Sequence, residues 1–329
     1  MKILVTMRLP EDVRAILAEK HQIEANDIDR PMERAQVLRA IGDKEGLLST
    51  ITDQIDAELM GRAPHLRMIA NYGVGYNNIE VEEATARGIL VSNTPDVLTD
   101  ATADIAFALI LATARRIIEG DRRVRLGAFQ DWSPFRFLGS EVTGKTLGII
   151  GLGRIGEALA RRAKGFDMPV IYYNRRRKDP FFEETLDARY KALEDLLLES
   201  DFVSLHVPLT EQTRHLIGPK EIARMKPSAF LINTSRGPVV DEKGLVEALN
   251  RKEIAGAGLD VYEEEPELAP GLRELENVVL LPHVGSATTE TRSRMAYLAA
   301  QNLLEGLAGA LPIHCINPAA ISEKGESVS

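Results

Sequence analysis

The chain has 329 residues, 44% of them hydrophobic and 27% charged, and a formal net charge of −9. This length suits about two domains, and the acidic balance gives no reason to expect nucleic acid or an anionic membrane as a partner. The single cysteine, Cys315, excludes an internal disulfide and favours a reducing compartment. Because the N-terminus begins as a strand, and the longest apolar stretch, near Ile105 to Ala114, is short for a bilayer, we expect a cytoplasmic protein.

Strands and helices alternate along the first hundred residues. Short apolar strands are predicted at 2–8, 46–50, 66–71 and 89–93, with amphipathic segments between them. A long helix is then predicted over Asp100 to Ile118, followed by an irregular aromatic stretch, Phe129 to Leu138, that contains Trp132.

A second series of strands follows. They are predicted at 146–150, 170–173, 202–206, 229–233, 255–259 and 278–281, with one more short strand possible in 187–191. Their nearly continuous apolar runs are typical of parallel strands buried on both faces. A helix over Thr288 to Leu307 then leads to a tail that we expect to return to the first unit.

The pattern predicts an α/β protein with two doubly wound parallel-sheet domains and an active site in the cleft between them. Residues 1–98 and 288–329 would form one domain, and residues 99–287 a Rossmann domain that binds NAD(P). The first is expected to be flavodoxin-like and to bind the substrate.

A glycine motif lies between a predicted strand and a predicted helix. It reads Gly151-Leu152-Gly153-Arg154-Ile155-Gly156. In such a motif the first glycine permits a tight turn, the second lets the backbone approach a pyrophosphate, and the third lets the helix pack on the strand. The helix N-terminus then offers free N–H groups to the phosphates. This context predicts dinucleotide binding.

The residue after the strand predicted at 170–173 indicates which dinucleotide binds. NAD-binding units usually have an acidic residue there to hold the ribose 2′-hydroxyl, whereas this chain has Asn174, followed by Arg175, Arg176, Arg177 and Lys178. A neutral amide beside guanidinium groups favours a 2′-phosphate. We therefore predict that NADP(H) is preferred and that NAD(H) remains possible.

Polar residues follow three later strands of the same domain. Arg236 follows the strand ending at Asn233, Asp260 and the run Glu263 to Glu265 follow the strand ending at Leu259, and His283 follows the last strand. Ligands of open parallel sheets bind at the carboxyl ends of the strands. Sequence physics alone does not choose among the three glutamates. We place His206, which also ends a strand, beside the cofactor rather than in the chemistry. No cluster has metal-ligand spacing, so we predict no metal.

These residue types suit hydride transfer to a small 2-oxo acid. Histidine can protonate the developing alkoxide near neutral pH, a carboxylate can orient the imidazole, and an arginine can bind a carboxylate or carbonyl with two hydrogen bonds.

Several motifs together resemble the D-isomer-specific 2-hydroxyacid dehydrogenase family. They are the glycine motif, Asn233 to Gly237, Asp260 to Pro266, and Pro282 to Ala287. The resemblance implies that Glu265, directly before the proline, is the catalytic carboxylate and that Asp260 contacts the nicotinamide carboxamide. It also implies that Arg236 binds the substrate and that His283 is the acid/base.

The resemblance extends to other parts of the chain. The block Asn71 to Asn77 is similar to the family's substrate loop, whose N–H groups, here around Val74 and Gly75, hold the substrate carboxylate; glycines at a strand end can form such an anion-binding concavity. Thr102 resembles a residue near the cofactor. His206, Val207, Pro208 and Thr234 are expected to line the cofactor site.

Within the family, the segments Ser92 to Asp100 and Trp132 to Pro134 look most like the glyoxylate/hydroxypyruvate reductases. Family members are usually homodimers, joined through the region after the first hinge, and Trp132 could then reach the partner's substrate pocket; a packed surface tryptophan is the alternative. Two other functions remain open. One is another dehydrogenase of the family, acting on 3-phosphoglycerate or another 2-hydroxyacid, and the other is a cofactor-sensing protein like the transcriptional corepressors that share the fold.

Overall fold

Two parallel sheets connected by helices form the protein. The structure is a computed structural model that describes residues 1–322, and the polar end of the chain, 323–329, lies outside the described residues. The described chain divides into two compact units. One is Met1–Leu98 together with the described residues from Thr288 onward, and the other is Thr99–Ala287. The predicted fold class, two parallel-sheet α/β domains, is confirmed.

The first unit contains a five-stranded sheet. Its strands are β1 (Lys2–Val5), β2 (Gln22–Ala25), β3 (Gly46–Thr50), β4 (Met68–Tyr72) and β5 (Leu90–Ser92). With helices numbered in chain order, it contains α1 (Glu11–Ala18), α2 (Arg34–Ala40), α3 (Ala57–Gly61), α4 (Val81–Ala86), α12 (Thr289–Leu307) and α13 (Ala319–Ser322). The strand order β2-β1-β3-β4-β5 is that of flavodoxin-like sheets.

Helix α12 packs one face of this sheet. Its buried residues Ala296, Ala299 and Leu303 join a core with residues of β1 and β4, and Thr288 caps the helix by accepting a hydrogen bond from the Thr291 N–H. Strand β2 was not predicted from the sequence. This strand lies at the sheet edge and is only half-buried, so its four residues lack the apolar run that marked the others.

The second unit contains a seven-stranded sheet. Its strands are β6 (Leu147–Ile150), β7 (Val170–Tyr173), β8 (Ala188–Tyr190), β9 (Phe202–Leu205), β10 (Phe230–Asn233), β11 (Gly256–Leu259) and β12 (Val278–Leu280). Its helices are α5 (Thr99–Ala114), α6 (Ile117–Arg125), α7 (Arg154–Ala163), α8 (Pro180–Leu186), α9 (Leu193–Glu199), α10 (Pro219–Ile222) and α11 (Glu242–Asn250).

The strand order of this sheet places a switch point next to the glycine motif. The order is β12-β11-β10-β9-β6-β7-β8, and every pair is parallel. The chain runs outward from β6 through β7 to β8, then returns to β9 on the other side of β6. Ligands of doubly wound sheets bind at the carboxyl ends of the strands at such a point.

The long helix predicted over Asp100 to Ile118 is wrong at its C-terminal end. Helix α5 ends at Ala114, and a new helix, α6, begins at Ile117. Between them Arg116 adopts a left-handed conformation, with φ of 53°, and its guanidinium group pairs with both carboxylate oxygens of Glu119. An apolar run alone does not show this change of direction. Across residues 1–322, no helix combines the length and the apolar character needed to cross a membrane.

Candidate active site

Each glycine of the motif has its own structural reason. Gly151 has φ of +99°, and a Cβ there would lie 2.7 Å from the carbonyl carbon of His206. A Cβ on Gly156 would lie 2.5 Å from the Gly151 carbonyl oxygen, so this glycine lets α7 pack against the turn. A Cβ on Gly153 would meet no atom of the described chain within 4 Å. The side at Gly153 is therefore open to a ligand.

Helix α7 begins directly after Gly153, without a side-chain cap. Within residues 1–322, no acceptor is bound to the N–H groups of Ile155 and Gly156. The N–H of Leu152, by contrast, donates to the Asn174 side-chain oxygen over 2.7 Å. The open side of the turn thus carries unsatisfied donors at the positive end of the α7 dipole, which suits a phosphate group.

The basic run after β7 divides into two halves. Arg177 donates to both carboxylate oxygens of Glu183, each at 2.7 Å, and Lys178 donates to Glu157 at 2.7 Å. The guanidinium groups of Arg175 and Arg176 are exposed and meet no partner in the described part of the chain. Among the described residues, Arg175 and Arg176, the two predicted for the phosphate, are therefore the members of the run whose guanidinium groups remain available to a ligand.

The remaining residues predicted for the cofactor lie in the same unit. Burial lowers the pKa of His206 to about 4, so this imidazole is neutral near pH 7, and its Nε2 lies 2.9 Å from the Ser204 hydroxyl. Val207 contacts the glycine turn, since a Cβ on Gly151 would lie 2.9 Å from its Cγ1. Pro208 follows at the same end of β9 and accepts from the Thr213 hydroxyl.

Two threonines add further support for a cofactor site. The Thr234 hydroxyl is buried and has no hydrogen-bond partner among the described residues. Thr102 lies in α5 beside Gly285, where a Cβ would come within 3.5 Å of its hydroxyl. The open turn at Gly153, its free N–H groups and the unpartnered Thr234 hydroxyl fit a dinucleotide with phosphate and amide groups.

His283 and Glu265 form a hydrogen-bonded pair. His283 Nδ1 lies 2.8 Å from Glu265 Oε2, and both side chains are about one-third exposed. Glu265 Oε1 accepts from the Tyr262 N–H at 3.1 Å. Burial raises the pKa of Glu265, but the His283 hydrogen bond and charge, the Tyr262 N–H and the Arg236 charge outweigh it, so the net pKa is lowered. Glu265 is therefore an anion near neutral pH, and His283 Nε2 is left for another partner.

The other two glutamates of the run lie elsewhere. Glu263 Oε1 is 2.5 Å from His215 Nε2, and Glu264 is exposed. Geometry therefore distinguishes Glu265 from its neighbours, a choice that sequence physics left open.

Arg236 is held by the turn that follows β10. The Asn233 side chain donates to the Arg236 carbonyl at 2.9 Å and accepts from the Ser235 N–H at 3.0 Å. Burial lowers the pKa of Arg236, while the charge of Glu265 acts in the opposite direction. A buried guanidinium in the field of the Glu265 carboxylate is suited to binding an anionic or strongly polar ligand.

Asp260 connects the end of β11 to the segment after His283. Its two carboxylate oxygens accept the N–H groups of Val284 and Gly285, each at 2.7 Å. Burial raises the pKa of Asp260, although these hydrogen bonds lower it. Asp260 therefore fixes the backbone next to His283. Arg236, Glu265 and His283 follow three neighbouring strands, β10, β11 and β12, and so lie on the side of the sheet where the strands have their carboxyl ends.

The predicted substrate loop, Asn71 to Asn77, lies in the first unit. The side chains of Asn93 and Asn71 donate to the carbonyl oxygens of Val74 and Gly75, at 2.8 and 2.9 Å. No acceptor among residues 1–322 binds the N–H groups of Val74 and Gly75. The two carbonyls are thus occupied while the two N–H groups are available.

Trp132 is far from buried. It is 80% exposed and lies in a segment without helix or strand, and no ring contact or hydrogen bond of its side chain is found within the described chain. Two residues that contact the Glu265 loop were not predicted from the sequence: Tyr262, whose N–H donates to Glu265, and Glu242, whose carboxylate accepts the Glu263 N–H. A tyrosine after a strand and a glutamate in a first helical turn are too common to predict such contacts.

Similarity to known proteins identifies the family of this chain. Residues 107–285 match the family model described as D-isomer specific 2-hydroxyacid dehydrogenase, NAD binding domain. A glyoxylate reductase from Thermococcus litoralis is 52% identical over 320 residues, covering 96% of each chain.

Solved structures are similar over nearly the whole chain. A protein from Thermus thermophilus is 43% identical with a TM-score of 0.89, covering 96% of this chain and 100% of that one. An NADPH-dependent glyoxylate/hydroxypyruvate reductase from Sinorhizobium meliloti, solved with NADP and malonate, is 34% identical with a TM-score of 0.85 and 97% coverage of both chains. The chain belongs to the D-isomer specific 2-hydroxyacid dehydrogenase family of enzymes, and its second unit contains the family's nicotinamide-cofactor-binding domain.

Proposed function

We propose that this enzyme reduces small 2-oxo acids, glyoxylate and hydroxypyruvate, to 2-hydroxy acids with NADPH. The observation that carries the proposal is the Glu265–His283 pair at the same sheet edge as Arg236. The names of the relatives from Thermococcus litoralis and Sinorhizobium meliloti support the substrate class.

His283 and Arg236 have complementary roles in this proposal. Because Glu265 occupies Nδ1 of His283, Nε2 can donate a proton to the oxygen of the reacting carbonyl. Arg236 binds the carbonyl and carboxylate oxygens of the substrate and stabilises the charge that develops on them. A bound nicotinamide cofactor supplies the hydride for the carbonyl carbon. The carbonyl thus gains a hydride at carbon and a proton at oxygen.

We assign the substrate carboxylate to the free N–H groups of Val74 and Gly75. The first unit, 1–98 and 288–329, is then the substrate-binding domain, and 99–287 the cofactor-binding domain. Thr102, Thr234 and Asp260 are assigned to the cofactor side, with Asp260 near the nicotinamide. We also propose a homodimer in which Trp132 approaches the substrate pocket of the second copy.

A panel of 2-oxo acids assayed with NADPH and with NADH tests the proposal. We expect the highest kcat/KM with glyoxylate or hydroxypyruvate and NADPH. Preferential turnover of a phosphorylated or larger 2-oxo acid would instead favour another dehydrogenase of the family. Tight cofactor binding with negligible turnover of every acid would favour the cofactor-sensing alternative.

The preference for NADPH rests on Arg175 and Arg176, whose guanidinium groups are available beside Asn174. We predict that the double variant Arg175→Ala/Arg176→Ala raises KM for NADPH at least about tenfold, because each charge-assisted hydrogen bond contributes roughly 1.5–3 kcal/mol. KM for NADH should change little.

Arg251→Ala/Lys252→Ala is the matched control, since it removes two exposed charges at the end of α11. An equal rise in KM for both cofactors in the Arg175/Arg176 variant would reject a 2′-phosphate site at these residues.

A further inference from the structure

The apolar anchors of the loop that carries Glu265 lie at its two ends, where Tyr262, Leu268 and Ala269 pack in a hydrophobic core. Residues 264–267 are exposed and form a tight turn, in which the Glu267 N–H donates to the Glu264 carbonyl at 2.8 Å. Glu265 and Pro266 lie at the tip of this turn. The hydrogen bond between Glu265 and His283 therefore depends on the contacts that hold the two ends of the loop in place.

One buried side chain fastens both ends. Glu242, only 4% exposed, accepts the Glu263 N–H at Oε2 over 2.6 Å and the Ala269 N–H at Oε1 over 2.7 Å. The Glu242 N–H in turn donates to Glu263 Oε2 over 3.3 Å. A carboxylate that accepts two backbone N–H groups makes charge-assisted hydrogen bonds, which are stronger than neutral ones.

The position of Glu242 is itself fixed. It is the first residue of helix α11, which Asp241 caps by accepting the Gly244 N–H at 2.9 Å. The positive end of the helix dipole favours a negative charge there.

The turn that carries Arg236 packs closely on the start of the Glu265 loop. A Cβ on Gly237 would lie 1.8 Å from the Tyr262 carbonyl carbon, so the two backbones are in direct contact.

We propose that Glu242 is a positioning residue for the Glu265–His283 pair. By closing the 263–269 loop with its two oxygens, it holds Glu265 Oε2 at hydrogen-bond distance from His283 Nδ1. This proposal rests on the proposed function for its catalytic consequence, whereas the loop geometry stands without it.

Glu242→Gln is the sharpest test, because it keeps the side-chain volume but replaces one acceptor oxygen with an NH₂ donor that would face a backbone N–H. We expect kcat for glyoxylate to fall about tenfold, because a slightly misplaced catalytic pair loses rate. The dissociation constant for NADPH should not change. Glu247→Gln is the matched control, since Glu247 lies on the same helix and is exposed, and since among residues 1–322 its carboxylate binds Arg251 alone.

A double-mutant cycle separates positioning from general destabilisation. If Glu242 acts through Glu265, adding Glu242→Gln to Glu265→Gln should lower kcat little further, because coupled residues are not additive. A further tenfold loss in the double variant would overturn the proposal.

Amide hydrogen exchange gives a readout that does not depend on turnover. In the wild type, the Glu263 and Ala269 amides should be protected relative to the Glu264 amide, and Glu242→Gln should speed their exchange. If both exchange as fast as Glu264 in the wild type, or are unaffected by the substitution, the loop is not held by Glu242. A wild type that reduces no 2-oxo acid refutes the proposed function instead, and exchange then still tests the loop.

Discussion

Two neighbouring carboxylates fix the orientation of His283, the proton donor that we propose. Glu265 occupies Nδ1, and the Asp260 carboxylate fixes the following backbone through Val284 and Gly285. An imidazole held on one ring nitrogen and by its own backbone presents the other nitrogen in a defined direction. This arrangement matches general acid catalysis, which needs a donor already in place when the alkoxide forms.

We predict that His283→Ala lowers kcat for glyoxylate by about 10²- to 10⁴-fold, the usual contribution of general acid–base catalysis. The dissociation constant for NADPH should stay within about twofold, since no part of the glycine turn is altered. Stopped-flow turnover and fluorescence titration measure the two quantities. His65→Ala, at an exposed position of the first unit, is the control. Near-normal turnover of the His283 variant would remove His283 from the chemistry.

At the scale of residues, the sequence predicts which residue types belong to the site, but it does not predict which side chains pair with each other. Arg236, Glu265 and His283 could be placed at one sheet edge because parallel strands share their carboxyl ends. The choice among the three glutamates depends on the 264–267 turn. In the basic run, Arg177 pairs with Glu183 and Lys178 pairs with Glu157. These pairs could not be predicted from the sequence, because the positions of the two glutamates follow from helix packing.

At the scale of elements, the glycine turn joins β6 to α7, and the space that a side chain would find differs from one glycine to the next. Gly156 is needed for packing and Gly153 leaves open space, although both belong to one motif. The sequence predicted the strand, turn and helix because their local signals agree. It failed where a boundary depends on one dihedral angle, as at Arg116, and at the half-buried edge strand β2.

The two glycines should therefore respond differently to alanine. Gly153→Ala should leave the apo protein within about 0.5 kcal/mol of wild-type stability, because its Cβ meets no atom and its φ of −95° suits any residue. It should still weaken NADPH binding at least about tenfold by blocking the approach to the turn.

Gly156→Ala should instead destabilise the apo protein by about 1–3 kcal/mol, since its Cβ would clash with the Gly151 carbonyl oxygen. Thermal unfolding without cofactor and NADPH titration distinguish the two outcomes. Equal stability losses in both variants would contradict these separate roles.

At the scale of the whole molecule, large hydrophobic side chains that are exposed to solvent are concentrated in one region, a feature typical of interaction surfaces. Helix α6 and the segment after it expose large hydrophobic side chains at eight positions: Ile117, Ile118, Val124, Leu126, Phe129, Trp132, Phe135 and Leu138. The residue pattern predicted this region as a helix end and an irregular aromatic stretch, and the family resemblance alone implied that it joins a dimer. Exposure is visible only once the rest of the unit has packed.

We predict that a second copy of the chain covers this region. Light scattering should give a dimer for the wild type, and Val124→Asp/Leu126→Asp should give monomers, because two buried charges oppose association. Ile313→Asp is the control, since Ile313 is at least as exposed as Val124 and Leu126 but lies outside the region. A monomeric wild type would contradict the prediction.

The role proposed for Trp132 can be tested by mixing two variants, each with reduced activity. Trp132→Ala should keep the dimer but lower kcat/KM for glyoxylate, and His283→Ala removes the acid. If Trp132 serves the site of the second copy, a mixed dimer has one complete site, with His283 from the Trp132→Ala chain and Trp132 from the His283→Ala chain. Random exchange of equal amounts makes half of the dimers mixed, so activity should recover to about a quarter of the wild-type value. If Trp132 served its own chain, neither site of the mixed dimer would be complete and mixing would restore nothing.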